Sequence, residues 1–300
     1  MGTGKKCGIP LTLRNTLVGL SFIMPNFIGF FIFVLIPVAF SLILSVMNWD
    51  GFNAMEFAGI NNFRAVFRDS IFRQSMGRTF VYTASCVVFT MFASLGLAVL
   101  LNKKLAAKNF FRSAIFFPYV ASVVSIAVVW RLLFMRDTGP VNLFLRFIGI
   151  ANPPGWFVTT KWALPGVIIV TIWKSMGYYM IVYLAALQGI PKELHEAASI
   201  DGASSIQYFW RITLPLLAPA TFFVVLMLTI NSFKSFDLIF ALTEGGPGNA
   251  TMLLSHYIYN KAFISFNYGQ TSAAALVLFA IIGLITLIQF RMEKRLGGTA

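Results

Sequence analysis

Acidic side chains are scarce in this sequence: 10 Asp and Glu stand against 23 Lys and Arg in 300 residues. All charged residues together make up 11% of the chain, where a soluble domain carries about a quarter. That shortage argues against a water-facing globular surface. Cysteine is nearly absent. Cys7 and Cys86 lie far apart with no CxxC or metal-ligand spacing, and they read as free thiols in a tail and in a membrane helix. His195 and His256 are the only histidines and share no ligand spacing, which argues against a zinc site or a histidine-based triad. No phosphate-cradling GxxxxGK[ST] run occurs. The opening "MGTGKKCG" imitates one, but Gly2 and Gly4 are too close together, no strand precedes them, and neither Ser nor Thr follows the lysine. The chain is therefore expected to bind no cofactor or metal of its own and to hydrolyse no ATP by itself. No nucleophile–base pair suggests an enzyme. The net charge of +13 would suggest nucleic acid in a soluble protein. Here the basic residues flank apolar runs, with no aromatic–basic interleaving, so topology signals and lipid headgroups account for them better.

What the chain has in abundance is apolar length. Hydrophobic residues reach 58%, with 32 Phe, and mean hydropathy is +0.80. A helix needs about 20 apolar residues to cross a bilayer. Six runs qualify: 17–47, 79–101, 113–134, 162–187, 216–235 and 271–290. The expected fold is all-α, a polytopic membrane protein with six transmembrane helices. The first run is too long for a signal-peptide core and is expected to persist as a span. Basic residues on the two sides nearly balance in total. The dense, acid-free "NKKLAAKNFFR" (102–112) and the two basic termini are assigned to the cytoplasm. The layout is then a cytoplasmic tail at 1–16, one membrane domain at 17–290 and a cytoplasmic tail at 291–300. The outer segment 48–78, with Phe63, Phe67 and Phe72 among arginines, predicts an amphipathic helix in the interface or packed on the bundle. The loop "TEGGPGNAT" (243–251) predicts turns.

One polar stretch interrupts this pattern on the expected cytoplasmic side: "GIPKELHEAASIDGASSIQYFWRITLP" (189–215). Pro191 suits a helix start. Glu193 and Glu196 lie near that end, where the helix dipole favours carboxylates. Leu194, Ala197 and Ala198 recur at helical spacing and predict a small, flat face. Asp201-Gly202 predicts a left-handed stop, and Ser204 and Ser205 can cap a second helix. That helix carries Ile206, Phe209, Trp210 and Ile212, an aromatic half able to anchor it on its own bundle. Pro215 marks the next span. The predicted object is a helix–turn–helix across the cytoplasmic face, a docking element for a cytoplasmic partner.

The residues Glu196, Ala197, Ala198, Asp201, Gly202, Ala203, Phe209, Ile212, Leu214 and Pro215 together resemble the EAA motif of permease subunits in bacterial ABC importers. "NWDGF", "FAGINNFRAVF", "FRSAIFFPYVAS", "TIWKSMGYYMIVYLAALQGIPKEL" and "SFKSFDLIFALTEGGPGNAT" extend the likeness along most of the chain. They are similar to the permeases of carbohydrate importers of the maltose-transporter and glycerol-phosphate-transporter type. That resemblance implies a type I importer permease in a bacterial inner membrane. It implies a second homologous permease, two ATP-binding subunits that hold ATP and magnesium, and an extracytoplasmic solute-binding protein. It also implies that Glu196, Ala197, Ala198, Asp201, Gly202 and Ala203 form a coupling helix seated in a cleft of the ATP-hydrolysing subunit.

Polar residues inside spans usually face a cavity or a neighbouring helix. The fourth run carries Trp173, Lys174, Gly177, Tyr178 and Tyr179, and the fifth carries Asn231, Ser232 and Ser235, followed by Asp237. Hydrogen-bonding groups and aromatic faces are what a sugar requires. The resemblance makes Trp173, Gly177, Tyr178, Tyr179, Asn231, Ser232 and Ser235 candidate substrate-binding residues, with helix bridging as the alternative for each. Lys174 is read as structural, paired with a carbonyl or a carboxylate. A glycerol-phosphate or other polar solute is an alternative cargo. A secondary transporter is an alternative mechanism, although no acidic residue sits within a span core.

Overall fold

The computed structural model describes residues 11–103 and 106–297. Lys5, Lys6, Cys7, Lys104 and the glycines of the opening run lie outside the described residues. Four helices are long and apolar enough to cross a membrane: Val18–Ser45, Ser70–Asn102, Thr160–Gln188 and Tyr268–Lys294. Two further pairs are bent. Lys108–Val120 meets Val123–Leu133 at 101°, and Ser205–Leu216 meets Ala218–Phe233 at 64°. With each pair taken as one span, the total is the six expected from the apolar runs.

The runs at 113–134 and 216–235 are thus not straight helices. In the third span Ala121 and Ser122 adopt extended backbone, with ψ of 151° and 130°, before helix resumes. In the fifth, Pro219 is the second residue of its helix. Its ring crowds the preceding turn, which places the bend at Leu217. Two other prolines act more gently. A π-turn at Phe31–Leu35 precedes Pro37, and another at Phe209–Thr213 precedes Pro215. In each case the carbonyl four residues before the proline, on Phe33 or Arg211, lies in the widened turn, which makes room for the ring.

The second and fourth spans form the centre of the bundle. Tyr82 and Cys86 pack with Val167, Val170 and Ile239 at one level. Ala98 and Leu101 pack with Met180, Tyr183 and Leu184 at another. Gly177 permits the third span to lie against the fourth: a Cβ there would overlap the Ile115 carbonyl oxygen. The first span is peripheral, with Phe22 81% and Phe33 79% exposed.

The outer segment departs from the single amphipathic helix expected at 48–78. A short antiparallel pair, Met47–Asn48 with Glu56–Phe57, leads into a helix at Asn61–Arg68. Asp69 then ends it and starts the second span, accepting from the Ile71 N–H at 2.8 Å. Phe72 and the arginines 73 and 78 therefore belong to the extension of that span. The segment does pack on the bundle: Val66 and Phe72 are buried with Leu254, Tyr257, Ala273 and Ala274. Turns occupy most of 243–251, with Glu244, Gly245, Gly248 and Asn249 at positive φ.

Candidate functional site

The polar stretch folds as a helix–turn–helix. The first helix runs Lys192–Ile200 from Pro191, which stands just before it. Gly202 has φ +72° and closes the helix end: its N–H donates to Ser199 O at 3.2 Å, and the Ala203 N–H donates to Ala198 O at 2.9 Å. Ser204 and Gln207 form a capping box. The Gln207 N–H donates to Ser204 Oγ at 3.3 Å, and the Ser204 N–H donates to Gln207 Oε1 at 2.8 Å. These four bonds give partners to backbone N–H groups at the turn and close it locally.

Two expectations about its faces change. Ala198 is the only buried residue of Lys192–Ile200, while Leu194 and Ala197 are exposed, so the three do not share one free face. Glu196, Ala197, Asp201 and Gly202 are exposed together, and Ala203 is half-buried. The aromatic half does not anchor the loop as a unit either: Ile206 is 73% and Trp210 62% exposed. A ring pair absent from the sequence reading instead holds the loop to itself. His195 stacks on Tyr208 with centroids 4.7 Å apart and planes at 29°. His195 Nδ1 lies 3.2 Å from Ser199 Oγ. This clasp joins the two arms of the loop across Gly202. Behind it lies a groove of about 330 Å³, lined by Asn102, Gln188, Lys192, His195 and Tyr208 among others.

A second site lies within the bundle. A cavity of about 390 Å³ opens between the second, third, fourth and fifth spans. Of the seven candidates from sequence, Tyr179, Asn231, Ser232 and Ser235 line it. Asn231 Nδ2 donates to the Tyr179 hydroxyl at 3.4 Å. Trp173, Gly177 and Tyr178 do not line it. Trp173 meets Trp130 edge-on at 5.3 Å in the core. Gly177 is spent on the helix crossing. Tyr178 stands behind the wall, stacked at 4.6 Å on Tyr119, which does line the cavity.

Sequence reasoning missed several lining groups. Tyr82 is fully buried in a run whose scattered Thr and Ser residues do not single it out, yet its hydroxyl lies 3.0 Å from Thr171 Oγ1 and 3.1 Å from Ser235 Oγ. Tyr119 arrives because the break at residues 121 and 122 ends its helix beside the cavity. Lys174, Lys234 and Asp237 are also on the wall. Lys174 bonds as its structural reading required: Nζ donates to the Tyr119 carbonyl at 3.0 Å and lies 5.3 Å from the Tyr119 ring.

Comparison with known proteins identifies the chain's relatives. Residues 91–298 match the family described as binding-protein-dependent transport system inner membrane component. The chain is 38% identical over 285 residues to the probable ABC transporter permease protein YesP of Bacillus subtilis, covering 94% of this chain and 92% of that protein. It is 34% identical over 291 residues to the multiple sugar-binding transport system permease protein MsmF of Streptococcus mutans, covering 95% and 99%. Among solved structures, a chain of a bacterial ABC transporter for the acidic polysaccharide alginate superposes with a TM-score of 0.83, over 95% of this chain and 97% of that one. Identity there is 24%, so the likeness concerns the fold.

Proposed function

The chain belongs to the family of binding-protein-dependent transport system inner membrane components, and from that premise we propose that it is one permease subunit of an ATP-driven importer of sugars or oligosaccharides. It forms half of the translocation path. A second homologous permease supplies the other half, and a solute-binding protein delivers cargo from outside. Two ATP-binding subunits hold ATP and magnesium, and this chain carries no cofactor or catalytic residue. The tails at 1–16 and 291–300 and the loop at 189–215 lie in the cytoplasm, with the membrane domain at 17–290 between the tails.

The observation that carries this reading is the loop itself. A self-capped helix–turn–helix that leaves Glu196, Ala197, Asp201 and Gly202 exposed is built to transmit force to a partner. Closure of the two ATP-binding subunits would draw the loop with it, and the spans would rock between inward- and outward-facing arrangements. Sugar as cargo is supported by the similarity to MsmF, a multiple sugar-binding transport system permease protein, and by the cavity wall, where Tyr179, Asn231 and Ser235 offer hydroxyl and amide partners.

The test is reconstitution. The purified chain is expected to release no phosphate from ATP. Assembled with its ATP-binding subunits, permease partner and binding protein in proteoliposomes, it is expected to take up a saccharide only when ATP is present. Uptake that proceeds without ATP, driven by an ion gradient, would establish a secondary transporter instead.

A further inference from the structure

The charge of the inner cavity is its least expected property. Its wall carries two ammonium groups, Lys174 and Lys234, and one carboxylate, Asp237. Among the described residues neither lysine lies within ion-pair distance of an acid: the two ion pairs present are Arg146 with Asp137 and Lys261 with Asp69. Lys174 gives one N–H to the Tyr119 carbonyl. An ammonium has three donors and accepts nothing, so two remain for other partners. Lys234 stands at the C-terminal end of Ala218–Phe233, where the helix dipole tolerates a cation but cancels only part of its charge. Lys174 is half-buried, while Lys234 and Asp237 are exposed on the cavity wall; ionisable groups of a membrane protein that line a cavity mark the paths of solutes. A neutral sugar would leave this positive balance uncompensated; an anionic one would offset it.

We propose that the cavity of this importer favours saccharides bearing an anionic group, a uronate carboxylate or a phosphate ester. Lys234 and Lys174 act as specificity-determining residues and Asp237 as a counterweight. This rests on the reading of the cavity as the sugar path. Tyr179, Asn231 and Ser235 would meet sugar hydroxyls, which both charged and neutral saccharides possess. The discrimination therefore falls to the amines.

The experiment uses the complete importer with its binding protein in proteoliposomes. ATP-driven uptake is measured for three labelled probes: a glucuronate-containing disaccharide, its neutral glucose counterpart, and glucose 1-phosphate. The readout is the ratio of anionic to neutral uptake in each variant relative to the starting protein, so that selection by the binding protein cancels. Lys234→Gln is expected to lower the ratio by about tenfold, the scale of one lost charge interaction in a partly polar site. Lys234→Arg should restore it, Asp237→Asn should raise it, and Lys174→Gln should lower it. Because Lys174 also holds the Tyr119 carbonyl, its variant is judged only if the complex purifies intact, and the Lys234 and Asp237 variants decide the matter regardless. Whether the disaccharide or the phosphate ester responds more strongly identifies the anion. If neutral sugar enters with ATP while neither anion does, or if the ratio is unmoved in the Lys234 and Asp237 variants, the inference is overturned and the importer reading stands. If no saccharide of any class enters with ATP, both fall.

Discussion

Gly177 and Asp69 show how single residues set this structure. A methyl group at Gly177 would overlap the Ile115 carbonyl oxygen and stand 2.7 Å from the Ile115 carbonyl carbon and 2.9 Å from the Phe116 Cα. All three atoms are backbone and cannot swing aside. Gly177→Ala is expected to cost about 1–3 kcal/mol by forcing the third and fourth spans apart. Gly96→Ala, with open space around it, is the control. Thermal midpoints of the purified protein in detergent check the difference, and equal midpoints would refute the crossing. At Asp69, burial alone would raise the carboxyl pKa. The Tyr257 hydroxyl at 2.8 Å, the Ile71 N–H and Lys261 at 3.2 Å outweigh it and hold the group below its ordinary value of 3.8. A carboxylate with a lowered folded pKa stabilises the protein above its unfolded pKa, and loses that contribution as pH falls through the folded value. Asp69→Asn should therefore lower stability at pH 7, and the gap to the starting protein should close as pH drops below about 4. A gap that stays constant with pH would assign the effect to packing.

At the scale of the element, the loop at 189–215 behaves as a lever only if its two arms keep their angle. A side chain at Gly202 would meet open space, so its cost there is conformational: φ is +72°. Gly202→Val is expected to cost about 1–2 kcal/mol locally and to abolish uptake while leaving membrane insertion intact. The His195–Tyr208 stack makes a separate contribution. Tyr208→Ala should reduce the saccharide moved per ATP hydrolysed, because the second arm then swings freely, whereas Tyr208→Phe keeps the ring and should retain the ratio. Co-purification of the ATP-binding subunit, run beside uptake and phosphate release, separates lost docking from lost transmission. Normal coupling in Tyr208→Ala would remove the clasp from the mechanism.

For the whole molecule, six crossings, with each bent pair taken as one span, carry a testable prediction of sidedness. The first span is exposed along most of its length, as a helix facing lipid or a second permease would be. On the proposed orientation, with both termini inside, position 201 is expected to face the cytoplasm and position 249 the exterior. Single cysteines placed at Asp201 and Asn249, in a chain freed of Cys7 and Cys86, should react with a membrane-impermeant maleimide from opposite sides of sealed vesicles. Labelling of both from one side would overturn the six-crossing path.

The sequence alone determined the class of molecule, the apolar runs that could cross a membrane and the local form of the loop. Each of these follows from short-range rules: apolar length against bilayer thickness, glycine at a left-handed turn, serine at a helix start; the glutamine that completes the capping box appeared only in the structure. The EAA pattern was legible for the same reason, since its residues are contiguous. What needed tertiary structure was which side chains converge. Tyr82, Tyr119 and Lys234 lie on three different spans, and nothing within any one run indicates that they share a wall. Gly177 and Tyr178 carry the same sequence signals as a binding residue, yet one is consumed by a helix crossing and the other by a ring stack behind the cavity. The breaks after Val120 and at Leu217 turn the third and fifth spans, and so bring Tyr119 and Asn231 to face one space. Helix periodicity specifies the face a residue occupies; only the packing of bent helices against one another decides what that face meets.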